Sequence, residues 1–156
     1  MRRGSMKELV NRFVQIRKDF LETVSSFPAD RIEEPLCGEW DIKCVLAHMA
    51  GWDIYFGKIV NLLRIGKDTP YWGDIQACNE AAVREREGRT WDEVRDEFKK
   101  TGQEFIEAYS TLDEQLWSKR FWEQADLAPA GVLEINIHHY GEHLEEIEKK
   151  LSEWGG

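Results

Sequence analysis

The sequence predicts an all-α protein, and three observations favour a four-helix bundle. Four long segments carry apolar residues at three- and four-residue steps, which is the period of a helix with one buried face. No stretch shows the alternation of a half-buried strand, and there is no internal repeat or low-complexity segment. The 156 residues, 42% hydrophobic and 33% charged, are enough for one core and too apolar for disorder. We therefore expect a single helical domain over residues 6–156.

The first helix is expected from about Lys7 to Ser25, because Phe27 and Pro28 close the periodic segment. Its apolar stripe consists of Leu9, Phe13, Ile16, Phe20 and Val24. Residues 1–5 read as an expression-vector remnant or a disordered N-terminus ahead of a native start at Met6, so they are left out of the predicted domain.

The second helix is expected to begin after Asp41 and to end near Arg64. Asp41 suits the N-cap because its carboxylate can accept hydrogen bonds from the free amides of the first turn. One face of this helix carries Val45, His48, Trp52, Tyr55, Ile59 and Leu62. Since His48 lies within this apolar face, its ring should point inward, whereas Asp53 should point away from the core into solvent.

A shorter extra helix and a third long helix are expected in the middle of the chain. Asp74 can cap the short helix, and Gly88 ends it. Thr90 and Glu93 have the spacing of a capping box, in which each side chain satisfies a free backbone amide at the start of the next helix.

The last helix is expected from near Pro129 to about Trp154, and it carries the strongest chemical signal. His139 and His143 are four residues apart, so both imidazoles lie on one helix face, one turn apart, and can reach a single ion. His48 is the other histidine placed well inside a predicted helix. We therefore predict a three-histidine metal site between the second helix and the last.

Three histidines without a fourth protein ligand leave one position for water or substrate, which is the arrangement of a catalytic zinc site. Imidazole suits zinc, nickel, iron or copper, and we expect a divalent ion, zinc or nickel. The alternative is that His48 is a packed core histidine and that the pair on the last helix is coincidental. His138 lies about 100° around the helix from His139, so it is expected at the surface.

Four residues are predicted to line a substrate pocket above the ion: Trp52, Tyr55, Asn79 and Tyr140. Trp52 and Tyr55 follow His48 on the same face, Tyr140 flanks the ligand pair, and Asn79 comes from the short helix. Either tyrosine could offer a hydroxyl to a substrate. The alternative is that Trp52 and Tyr55 are core aromatics only, and Trp52 is the better candidate for that role. No catalytic residue is assigned.

Composition and charge argue against several classes of partner. The net charge of −9, with no basic run, is the opposite of what nucleic-acid binding needs. No apolar run is long enough to span a bilayer, and no signal peptide opens the chain. Cys37, Cys44 and Cys78 have no CxxC spacing, which indicates reduced thiols in a cytoplasmic protein. Cys44 and Cys78 lie on predicted helices without a base at recognisable spacing, and Cys37 lies in a loop, so a cysteine nucleophile is not expected.

Three segments, taken in order, form a recognisable set. Residues 38–43 and 45–52 contain Gly38-Glu39-Trp40-Asp41 and His48-Met49-Ala50-Gly51-Trp52. Residues 71–86 contain Tyr71-Trp72, Ile75 and Asn79, and residues 139–147 contain His139-Tyr140-x-x-His143 and Glu146-Ile147. Together they resemble the DinB-like four-helix bundles, with the pattern closest to the ClbS/DfsB branch, and the similarity covers nearly the whole chain after Met6.

The resemblance implies an up-down-down-up bundle, and His48, His139 and His143 match the three metal-binding histidines of the superfamily. Related activities include hydrolases and thiol-dependent transferases that act on small reactive compounds. The branch includes proteins that protect their producer from a genotoxin, and not all of its members keep the three histidines. Two functions therefore stay open: a metal-dependent enzyme acting on a small molecule, or a non-catalytic binding or self-protection protein with an empty or vestigial site. Self-association as a homodimer through an exposed helix face is also compatible with the sequence.

Overall fold

The computed structural model describes the backbone of residues 3–155 and the side chains of residues 6–155. This part of the chain contains no strand and five α-helices: α1 (Arg3–Ser25), α2 (Ile42–Arg64), α3 (Ile75–Glu85), α4 (Trp91–Ser110) and α5 (Pro129–Gly155). Short 3₁₀ turns follow α1 at Ala29–Arg31 and α4 at Glu114–Leu116. None of these helices combines the length and the continuous apolarity that crossing a bilayer requires. The predicted all-α class is confirmed.

The N-terminal boundary differs from the prediction, because α1 begins at Arg3 rather than at about Lys7. The expected separation of residues 1–5 stays a prediction. Met1 and Arg2 lie outside the described residues, and the backbone from Arg3 to Ser5 is helical.

The predicted caps are present at the starts of α2, α3 and α4. The side chain of Asp41 accepts from the backbone amide of Cys44 at 2.9 Å, and the side chain of Asp74 caps α3 in the same way at 3.2 Å. Thr90 and Glu93 form the full capping box at the start of α4. Each cap satisfies backbone amides that have no partner within the helix. Because the capping residue is close in sequence to these amides, the helix starts could be predicted from the sequence.

The core lies among the four long helices. α1 packs mainly against α5, and α2 packs mainly against α4, while α3 lies on α2. Phe13 of α1 contacts Phe105 of α4 with ring centroids 5.1 Å apart, and Phe20 contacts Phe98 with centroids 5.6 Å apart. All four phenylalanine rings are buried, so they anchor α1 to α4 at two levels of the bundle.

α2 is the central helix of the bundle: its buried residues cover most of its circumference, and the exposed residues Ile54, Lys58 and Asn61 share the remaining face. A Cβ atom at Gly51 would stand only 2.6 Å from the Cβ of Ala82, so the glycine lets α3 lie directly against α2. A further face of α2 carries His48 towards α5, where the predicted metal site lies.

Arg17, Asp53 and Tyr140 form a buried ion cluster that joins α1, α2 and α5. The guanidinium of Arg17 donates to the hydroxyl of Tyr140 at 2.7 Å and lies 3.5 Å from the Asp53 carboxylate. The Tyr140 hydroxyl in turn donates to the same carboxylate at 2.7 Å. The expectation that Asp53 points into solvent was wrong: its side chain is 2% exposed.

Burial raises the pKa of Asp53 to about 6, although the Arg17 charge and the Tyr140 hydrogen bond both act to lower it. Arg17 reaches the cluster by crossing α4, where its second terminal nitrogen donates to the carbonyl of Phe98 at 2.7 Å. A Cβ atom at Gly102 would overlap the guanidinium, so only glycine leaves room for this crossing.

Candidate metal centre

Three imidazole nitrogens meet between α2 and α5. The Nε2 atoms of His48 and His143 each lie 3.0 Å from the Nε2 atom of His139. His139 and His143 are one turn apart on α5, as their spacing predicts, and His48 approaches from the opposing helix. A ligand nitrogen from each of the three residues lies within 4.8 Å of the other two.

The spacing of these nitrogens suits a shared cation. Nitrogen ligands at zinc bond lengths of roughly 2.0–2.1 Å stand about 3.3 Å apart in a tetrahedron. The observed separations of 3.0 Å are close to that value, so small rotations of the rings are enough to accommodate an ion. The three residues therefore fit a divalent metal in both ligand type and distance.

Burial favours the neutral form of two of the rings. Together with the charges of the neighbouring histidines, it lowers the pKa of His48 to about 4 and that of His139 to about 3. At neutral pH these two rings are therefore uncharged, and neither needs to lose a proton before a nitrogen lone pair can bind a metal.

Glu146 fixes the tautomer of the third ring. Its carboxylate lies 2.6 Å from Nδ1 of His143, so Nδ1 carries the proton and donates it to the carboxylate. The Nε2 lone pair of His143 then faces the other two histidines. Hydrogen bonds of this kind orient metal-binding histidines and raise their basicity. The sequence analysis assigned Glu146 no role at the metal site.

His48 is held differently. Its Nδ1 atom is buried and has no hydrogen-bond partner among residues 6–155. The ring instead lies against Trp40, with ring centroids 5.2 Å apart. Packing against Trp40, rather than a hydrogen bond at Nδ1, therefore holds this side of the His48 ring.

Cys37 lies beside this site, on the Glu146 side of His143. The sulfur of Cys37, a ring nitrogen of His143 and a carboxylate oxygen of Glu146 all lie within 4.8 Å of one another. Burial raises the pKa of Cys37 to about 11, and its hydrogen bond to Glu146 acts in the same direction. Cys37 is therefore a neutral thiol, which agrees with the expectation that it is not a nucleophile.

A cavity of about 270 Å³ opens onto His48 and His139. Most of its lining is aromatic or aliphatic, and two carboxamides also take part. The lining residues besides the histidines are Trp52, Phe56, Trp72, Ile75, Asn79, Ile135 and Asn136. The structure thus brings two of the four predicted pocket residues, Trp52 and Asn79, to this cavity, and the indole nitrogen of Trp52 donates to the Asn79 side chain at 2.5 Å.

The other two predicted pocket residues lie elsewhere. Tyr55 lines a separate cavity of about 250 Å³ between α2 and α3, and its hydroxyl donates to the carbonyl of Pro70. Tyr140 is 1% exposed, and its hydroxyl is taken up by the buried ion cluster. Neither hydroxyl is therefore directed at the three histidines.

Two contributors were missed by the sequence reasoning, namely Glu146 and Asn136. Both have a helical spacing that could have identified them. Glu146 follows His143 by three residues, and Asn136 precedes His139 by three, so each lies on the same helix face as the ligand it adjoins. By contrast, His138 was predicted correctly: its side chain is 80% exposed and pairs with Glu142 at 2.7 Å.

Comparison with known proteins gives one match. A family model described as the DinB superfamily matches residues 12–147, which is more than half of the chain and includes all three histidines. No curated protein and no solved structure matches the chain.

Proposed function

We propose that this chain, which belongs to the DinB superfamily, binds one divalent metal ion through His48, His139 and His143 and acts as a metal-dependent enzyme on a small molecule. The observation that carries the proposal is the convergence of three Nε2 atoms, two of which lie 3.0 Å from the third. Burial keeps two of the rings, those of His48 and His139, neutral. Neutral imidazoles that aim lone pairs at one point repel each other unless protons or a cation lie between them.

The chemistry follows from the number of ligands. Three protein ligands leave a coordination position free, and a bound divalent ion would lower the pKa of a water or thiol there and polarise an electrophile. Glu146 would hold His143 in the metal-binding tautomer, and the apolar cavity would exclude water around the substrate. We therefore favour hydrolysis or thiol transfer on a small reactive compound, with zinc or nickel as the ion.

Metal analysis of protein prepared without a histidine tag tests the metal-binding step. We expect about one metal ion per chain after dialysis against zinc or nickel, and a large loss of bound metal in His48→Gln, His139→Gln and His143→Gln. His138→Gln is the matched control, because that residue is exposed and points away from the site. Equal metal content in all five proteins, or none in any, would overturn the proposal. Circular dichroism identifies a variant that fails to fold.

A second function, binding without turnover, is favoured by the lining of the cavity. Within the described residues no carboxylate lines it, so no acid or base besides the histidines stands beside a bound molecule. A protein that sequesters a small molecule, or protects a cell from one, needs only the apolar surface. Product analysis after incubating the metal-loaded protein with 4-nitrophenyl acetate, or with 1-chloro-2,4-dinitrobenzene and a thiol, tests turnover. Metal-dependent product would support the enzyme, and unchanged compound would favour the binding protein.

We further infer an up-down-down-up arrangement of the long helices. The ring contacts support it. Phe13 contacts Phe105, and Phe20, later in α1, contacts Phe98, which is earlier in α4, so α1 and α4 run antiparallel. Membership of the ClbS/DfsB branch, residence in the cytoplasm and assembly as a homodimer are proposals that rest on the sequence. A crystal structure with bound metal, together with the mass of the protein in solution, tests the fold and the assembly.

A further inference from the structure

Asn136 is an unexplained polar group in an apolar cavity. It lies on α5, one turn before His139, and lines the cavity that opens onto the histidines. The residue is 3% exposed, and its Nδ2 atom is buried without a hydrogen-bond partner among residues 6–155. Leaving a buried amide donor unpaired costs about 1–3 kcal/mol, so such groups are rare in folded proteins.

Packing does not account for this residue. Leucine has nearly the same volume and would fill the position without an unpaired donor, next to neighbours such as Ile135 and Phe56 that line the same cavity. The other carboxamide of the cavity, Asn79, differs because its oxygen already accepts from the Trp52 indole at 2.5 Å. Of the two carboxamides, Asn136 is therefore the one whose donor is unsatisfied, and a ligand in the cavity is the group that could satisfy it.

The position of Asn136 relative to the histidines limits the ligand. Three residues along a helix correspond to an axial rise of about 4.5 Å, so the carboxamide stands roughly one helical turn from His139. A molecule that is bound at the metal and fills the cavity would contact the lining residues Trp52 and Asn136, and Ile75 and Ile135, both 51% exposed, lie at the solvent side of the same lining. Its oxygen acceptor would therefore lie a few bonds from the metal-bound atom.

We propose that Asn136 is a specificity-determining residue, whose Nδ2 donates a hydrogen bond to a carbonyl or amide oxygen of an apolar small molecule bound at the three-histidine site. This inference rests on the proposed metal site and adds a substrate class to it. The preferred ligand has a metal-binding atom, a neutral oxygen acceptor a few bonds away, and an apolar body that fits a cavity of about 270 Å³. A fully apolar ligand of the same shape would leave the Asn136 donor unpaired and bind more weakly.

Two matched thiols test this proposal with the zinc-loaded protein. N-benzyl-2-mercaptoacetamide and 4-phenylbutane-1-thiol have the same number of atoms between sulfur and ring, but only the first carries an amide. We expect calorimetric titration to show about tenfold tighter binding of the amide thiol to the wild type. That preference should fall strongly in Asn136→Leu and in Asn136→Asp, which keeps an acceptor and lacks the donor. The ratio of the two thiol affinities is compared between the wild type and each variant. This comparison cancels any contribution from direct coordination of the amide oxygen by zinc.

The stability of the metal-free Asn136→Leu variant distinguishes a ligand-binding role of Asn136 from a structural one. Because Asn136→Leu removes an unpaired buried donor, the metal-free variant should be as stable towards urea as the wild type, or more stable. A loss of stability together with an unchanged thiol preference would overturn the inference. Equal binding of both thiols by zinc-loaded wild type would overturn it as well, while leaving the metal site intact. A protein that holds no zinc and binds neither thiol would instead refute the proposed function, and this inference with it.

Discussion

The protein contains two buried polar clusters between α2 and α5, and they differ in how their hydrogen-bonding groups are satisfied. In the ion cluster, Arg17, Asp53 and Tyr140 bond to one another, and Arg17 also donates to the Phe98 carbonyl. In the histidine cluster, the three Nε2 atoms face one another, and the Nδ1 atom of His48 has no partner in the described part of the chain.

This difference separates a structural group from a binding group. Burying a charge is tolerated when a partner and hydrogen bonds compensate for the lost water, as they do in part around Asp53. The histidine cluster lacks such compensation and adjoins a cavity, so an added cation and ligand would complete it. The ion cluster should therefore determine stability without metal, and the histidine cluster should matter only when metal is present.

The largest effect is expected from Arg17→Met, which leaves the Asp53 carboxylate buried without its partner. Breaking a buried ion pair on one side costs about 3–5 kcal/mol, and we expect a loss of that size in the free energy of unfolding measured with urea. Lys18→Met is the matched control, since it removes the neighbouring positive charge from an exposed position. Similar stabilities for the two variants would contradict a structural role for the ion cluster.

The pH dependence of stability should identify Asp53. Its pKa is raised to about 6 in the folded protein, from an ordinary value of 3.8. The folded state therefore holds a proton that the unfolded state has released, and this carboxyl contributes less stability as pH rises from about 4 to about 6. The full change is on the order of 3 kcal/mol.

Asp53→Asn removes this titration, so the advantage of the wild type over the variant should shrink as pH rises through that window. Urea unfolding of both proteins at pH 4, 5, 6 and 7 measures the difference and cancels the contributions of other carboxylates. A difference that grows with pH would mean that the Arg17 charge outweighs burial and holds the Asp53 pKa below its ordinary value.

The two clusters also differ in how far the sequence could predict them. Helix caps such as Asp41 and the pairing of His139 with His143 depend on neighbours in sequence, and these predictions were correct at the level of geometry. Asp53 was misplaced because the buried surface of α2 extends beyond the predicted face to Leu46, Met49 and Phe56, and Asp53 lies among these residues. Its partner Arg17 comes from another helix, α1. The side chain of Arg17 can lie against α4 because Gly102 has no Cβ atom that would overlap the guanidinium.

The same reason explains the misplaced tyrosines. Tyr55 and Trp52 share a predicted face, but α3 and the segment containing Pro70 separate Tyr55 from the histidine side. Tyr140 adjoins His139 in sequence, and the turn of the helix carries its ring into the core. Helical spacing thus predicts which side chains share a face of one helix. It does not predict which neighbouring helix or loop packs on that face, because that depends on the tertiary structure.

Zinc should stabilise the protein through the histidine cluster alone. A ligand that binds only the folded state adds about 2.7 kcal/mol at a free concentration one hundred times its dissociation constant. We expect this increment in the wild type and in Arg17→Met, because the ion cluster is separate from the metal site, and its absence in His139→Gln. Thermal or urea unfolding with and without zinc measures it. Loss of the increment in Arg17→Met, in protein that is still folded, would mean that the two clusters are coupled.

The smallest effect, and the most selective, is expected from Glu146→Gln. Removing a carboxylate that orients a metal-binding histidine lowers metal affinity by about 10- to 100-fold, and His143 depends on Glu146 through a 2.6 Å hydrogen bond. Glu142→Gln is the matched control, because it removes the same charge from the same helix but disturbs only the exposed His138. Zinc titration against a competing chelator measures both affinities. If Glu142→Gln weakened zinc binding as much as Glu146→Gln, the negative charge of α5 rather than the orientation of the His143 ring would explain the loss. The contrast between the ion cluster, whose groups satisfy one another, and the histidine cluster, which an ion completes, would then lose its clearest support.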